Sequence, residues 1–88
     1  MEELKKAYAK MQAAKQESDK LDDLWGADPE NENLEDEWDA AYRDYSKKAW
    51  DLAEMIEAYS HGKVYKNIAM EIIRKKPLEL AALIERIA

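Results

Sequence analysis

At 88 residues, with two Gly, two Pro, no Cys and 39% charged side chains, the chain is expected to form a single domain (1–88) whose thin core hides only about 60–65% of the surface exposed on unfolding. The lack of cysteine excludes disulfides and thiolate metal sites and suits the cytoplasm, and no apolar window approaches the ~18 residues of a membrane span. The net charge of −6 is concentrated, because residues 17–44 carry −10 while 1–16 and 45–88 carry +2 each, so the middle third repels nucleic acid and attracts a basic surface.

The Met1–Lys6 stretch is charged with no apolar run behind it, so no signal peptide is expected. Val64 is the only valine, and Thr and Phe are absent, which leaves too few residues suited to a pleat for a sheet. Abundant Ala, Leu, Glu and Lys favour an all-α fold, because these types lose least on entering a helix.

Leu4, Ala7, Met11, Ala14, Ser18, Leu21 and Trp25 recur at steps of three and four, which predicts a first helix over 2–24 with one apolar stripe. Gly26 is read as its stop and Asp28-Pro29 as a turn, since proline disfavours the helical region in the residue before it. A second helix is predicted from Asn31 or Asn33, either of which can cap free amides, with Glu35, Asp36 and Glu37 suited to the positive end of the dipole. Its coiled-coil-like stripe, Leu34, Trp38, Tyr42, Tyr45, Ala49, Leu52, Ile56 and Tyr59, implies a rod of roughly 40 Å. Gly62 is expected to end it in the left-handed conformation. Acid-first pairs four apart, Glu2 with Lys6, Asp39 with Arg43 and Asp44 with Lys48, each add a few tenths of a kcal/mol.

In the last segment Tyr65, Ile68, Ala69, Ile72 and Ile73 precede Pro77, and Leu80, Leu83, Ile84 and Ile87 follow it. Proline removes a backbone donor, so the segment is one kinked helix or two helices meeting at Lys75-Lys76-Pro77. The apolar phase runs almost unbroken through it, which favours the kink. The fold expectation is therefore all-α, a three-helix bundle or a helical hairpin with a kinked third helix, with a kink or break near Pro77.

Carboxylates invite a search for metals. Asp28, Glu30 and Glu32 alternate as in a calcium loop, but Asn33 stands where the sharp turn needs Gly, Asp39 replaces the bidentate Glu, and Pro29 intrudes. The pairs Glu32/Glu35 and Asp51/Glu54, which could serve a magnesium-dependent phosphohydrolase, fall roughly 28 Å apart on one helix and cannot share an ion. His61, the only histidine, has no partners for a zinc site or a triad and suits a helix end. Arg43, Arg74 and Arg86, the only arginines, lie off the apolar stripes, so no cationic pocket for an anionic substrate is expected. Lys63, Lys66, Arg74, Lys75 and Lys76 form a small basic cluster offset by Glu71 and Glu79, read as a solvated face rather than a nucleic-acid site. No cofactor, metal or catalytic residue is expected.

Trp38, Tyr42, Tyr45 and Tyr59 lie on the stripe and are read as core residues whose hydroxyls reach the rim. Trp50 lies about 140° around the helix from Tyr45, among Arg43, Ser46, Glu54 and Glu57. Exposed tryptophan is a preferred interface anchor unless the third helix covers it, and Leu78 and Met55 also fall outside the main stripes. These residues point to a non-enzymatic protein-binding module or small regulator, self-associating or engaging another protein, that uses an apolar and aromatic helical face and the acidic 17–44 region, with Trp50, Arg43, Glu54, Glu57, Asp36 and Asp39 as its contact residues. Size and acidity alone liken the chain to small inhibitors encoded by phages and mobile elements, which compete with polyanions for a basic partner.

Overall fold

A computed structural model describes residues 2–87 and is all-α, with α1 (Glu2–Ala27), α2 (Glu32–Tyr59), α3 (Lys66–Lys75) and α4 (Pro77–Ile87). Helices α1 and α2 pair as a long antiparallel hairpin. At its tip the Trp25 and Trp38 ring centroids are 5.5 Å apart, and at its base the Tyr59 hydroxyl donates to Glu3 Oε2 at 3.0 Å.

Asn31 starts α2 as the residue type requires: its side-chain oxygen accepts from the amides of Asn33 and Leu34 at 3.1 and 3.3 Å, satisfying two donors that a helix start leaves free. Gly26 does not stop α1, which runs on to Ala27. Near a helix end glycine costs little enough for the hairpin contact of Trp25 to extend the helix past it. The sharp end is at α2, where the amide of His61 donates to Ala58 O and that of Gly62 to Glu57 O. This is the paired bonding of a Schellman motif, with His61 (φ 56°) and Gly62 (φ 80°) both left-handed. The first left-handed position, where glycine is usual, is thus held by histidine. His61→Gly is expected to change stability by no more than about 1 kcal/mol in the favourable direction, relief of the left-handed clash being partly offset by greater freedom of the unfolded chain; chemical denaturation measures it.

The favoured kink at Pro77 is replaced by a break. Lys76 adopts φ −134°, ψ 66°, and Pro77 takes the first position of α4, where its missing donor and fixed φ do no harm. The described residues thus form four helices, the break being one of the two arrangements open at Pro77. Helix α3 runs back along α2: the Lys66 amide donates to Glu57 Oε2 at 2.8 Å at one end, and Arg74 lies in a cleft with Tyr45 at the other. Helix α4 reverses again, so Leu83, Arg86 and Ile87 border Tyr59–Val64 at the base.

The consequence is an uneven core. Leu4 and Met11 of α1, Ala49, Leu52, Ala53 and Ile56 of α2, Ala69 and Ile73 of α3, and Leu80, Leu83 and Ile84 of α4 form one buried cluster, all at the base. From Glu32 to Lys48, α2 has no buried residue. The upper hairpin is closed from the α1 side by Ala14, Ser18 and Leu21 alone, and it projects from a molecule 46 × 22 × 19 Å across. Among the described residues no helix is long and apolar enough to cross a membrane.

Candidate protein-docking surface at the hairpin tip

The α2 stripe continues above the core, where α3 reaches it only at its lower end through Arg74, because α3 ends at Lys75 and α4 turns back. The expectation that Trp38, Tyr42 and Tyr45 are core residues is corrected for the first two: Tyr45 packs half-buried against the edge of the core, whereas Trp38 is half-buried away from it and Tyr42 is 39% exposed. Together with Trp25 they form a ladder. Trp38 stacks on Tyr42 with centroids 5.3 Å apart, Tyr42 meets Tyr45 at 6.3 Å, and the Trp25 indole N–H donates to Pro29 O at 3.3 Å. Such contacts lock rings in place beyond what burial alone provides.

Beside the ladder lies an open cleft of about 270 Å³. Lys15, Ser18, Asp19 and Asp22 of α1 form one wall, Trp38, Tyr42 and Tyr45 of α2 the other, and Arg74 of α3 closes the lower end. Lys15 pairs with Asp19 at 2.9 Å, and this hydrogen bond, more than any other influence, raises its pKa. Tyr45 is also raised, chiefly by burial, with Lys15 and Arg74 pulling the other way. The charges are graded along the groove: cations gather at its lower end, while the segment above carries most of the twelve acids of residues 17–44.

The six residues expected to form a binding patch share one stripe of α2 but do not converge. Asp39 pairs with Arg43 at 3.0 Å, both exposed, on the upper half, where Asp36 is also exposed. Trp50, Glu54 and Glu57 lie at the base. Trp50 is 43% exposed, with the Lys66 ammonium 5.9 Å from its ring centroid, an arrangement in which the cation meets the electron-rich face. Glu57 is engaged at the start of α3, where Tyr65 offers no side-chain cap. Its carboxylate there serves both a free amide and the positive dipole end. Leu78 is 87% exposed, whereas Met55 is half-buried beside Ala7 and Lys10 of α1. His61 is exposed in its turn.

The carboxylate pairs Glu32/Glu35 and Asp51/Glu54 do lie on one continuous helix. No group of three or more His, Cys, Asp or Glu among the described residues is placed to hold a metal ion.

At the base, the Tyr59 phenol is raised above its ordinary pKa, first by the hydrogen bond to Glu3. A tyrosine raised in the folded state leaves stability intact below about pH 10 and removes it as pH rises beyond. In an ultraviolet titration Tyr59 and Tyr45 are expected to ionise above the ordinary tyrosine range. Glu3→Gln should bring Tyr59 back towards that range while Tyr45 stays high, since its cause is burial.

The geometry defines a class, an all-α protein of two unequal hairpins with a partly exposed aromatic ladder on the longer one. Compared with known proteins, the chain matches no family model, no curated protein and no solved structure.

Proposed function

We propose that this protein is a non-enzymatic binding module whose working surface is the aromatic, acidic upper half of the α1–α2 hairpin, and whose partner presents a basic surface. The observation that carries this reading is the ladder Trp25, Trp38, Tyr42 and Tyr45, left half-open by the early end of α3 within the segment of charge −10. Rigid aromatic rings are the side chains that most often dominate binding energy, and the carboxylates around them speed encounter and select the partner's sign. A partner held in this way would be withheld from nucleic acid or another polyanion.

The reading moves the working surface away from Trp50, whose ring already faces Lys66. Capture of bound proteins from a cell extract, quantified for variants, tests it. Tyr42→Ala is expected to weaken capture at least about thirtyfold, the mark of a residue worth 2 kcal/mol, while Trp50→Ala leaves it within about threefold. Raised salt should weaken capture steadily. Capture indifferent to salt and to Tyr42 would remove the proposal, and dependence on Trp50 alone would return the surface to the opposite side of α2.

A further inference from the structure

The lower half of α2 already carries a helix, α3, ten residues long and antiparallel to it, whose Arg74 end reaches the cleft between α1 and α2. Above Arg74 the same hairpin continues without one. We infer that the vacant stretch receives a helix from the partner, amphipathic and basic, about three turns long, which completes a three-helix layer on the upper hairpin. This inference rests on the binding-module reading and names the occupant.

Its length follows from the ladder. From Leu34 to Tyr45 α2 rises roughly 17 Å, the span of an eleven- or twelve-residue helix. An apolar seam follows from the rings: Trp38, Tyr42 and Tyr45 present a part-buried aromatic strip to one side, and a helix meets such a strip with residues three and four apart. Basic flanks follow from the walls, where Asp19 and Asp22 line the cleft, and from the field of the acid-rich segment that surrounds it.

Direction follows from the graded charge. Arg74 lies at the lower end, and among the described residues it is in no ion pair. The carbonyl end of a docked helix is favoured beside that guanidinium, and the amide end beside the acidic tip. The bound helix therefore runs parallel to α2. A second copy of this chain is disfavoured as occupant, because each tip segment carries −10. The chain's own α4 is engaged elsewhere through Leu80, Leu83 and Ile84.

Selection of randomised fifteen-residue peptides displayed against the full chain, with Tyr42→Ala as the counter-target, tests the inference. Retention of wild-type circular dichroism by the variant confirms that it is folded. Winners are expected to carry apolar residues at three-four spacing with Lys or Arg between them. A synthetic winner should gain helical signal on binding, lose at least about thirtyfold in affinity when a central residue becomes proline, and weaken as salt is raised. A nitroxide on its N-terminus should broaden amide resonances around Trp25 and Leu34 more than those around Arg74.

Winners that tolerate proline, lack helical spacing or are acidic would overturn the inference, as would the absence of any winner that discriminates against Tyr42→Ala. Sedimentation showing a dimer of the chain that Tyr42→Ala abolishes would assign the groove to a second copy instead. The two proposals fail separately. Capture that depends on Tyr42, combined with proline-tolerant winners, keeps the module and discards the helix; independence from Tyr42 in both experiments discards both.

Discussion

Leu52→Ala is expected to lower the unfolding free energy by about 3–5 kcal/mol, as for fully buried leucines whose surroundings cannot collapse into the gap. Leu52 is wholly buried and belongs to the one cluster to which all four helices contribute. A chain of this size has only about 4–13 kcal/mol of net stability, so the loss takes a large share of it. The thermal midpoint should fall by about 16–27 °C, measured by far-ultraviolet circular dichroism with denaturant titration alongside. A shift of about 2 °C or less would mean that the base of the molecule is not packed as described.

Two residues on α4 are expected to differ by a large share of the stability of the fold. Leu80 is 2% exposed and Leu78 is 87% exposed, so a carboxylate at the first must be desolvated among hydrocarbon while at the second it stays in water. Leu80→Asp is expected to cost at least about 3–5 kcal/mol, through lost burial together with an unpaired charge. Leu78→Asp should stay within about 0.5 kcal/mol, as substitutions of exposed residues generally do. Equal effects at the two positions would show that α4 packs through another face. The contrast also probes the break at Pro77, because a different turn between α3 and α4 would change which of these leucines meets the core.

The rods themselves could be read from local chemistry. The Asn31 cap, the stripe through Leu52 and Ile56, and the stop after Tyr59 all depend on residues within a turn or two of each other, and all appear as the spacing implies. What spacing could not carry was the choice at Pro77. The apolar phase is compatible with one long helix or two short ones, and only the burial of Leu80, Leu83 and Ile84 against the base separates them. That choice decides how far Trp38, Tyr42 and Tyr45 are covered, so the partly open ladder does not follow from spacing, although the aromatic face and the acidic 17–44 region are both legible. The signal that could have found it was the coincidence of the aromatic part of the stripe with the acid-rich segment. A buried seam has little use for four carboxylates in five positions, Glu35 to Asp39, around one of its rings.

The short reach of α3 also grades the molecule mechanically. Two helices alone gain little from each other, since most helical stability comes from tertiary packing, and the stretch from Glu32 to Lys48 has no buried side chain to hold it shut. Amide protons there should exchange with solvent through local opening, well before those flanking Leu52 and Ile56, which await global unfolding. The end of the molecule proposed to meet another surface is thus the end least costly to reshape, with the four-helix base as its rigid handle.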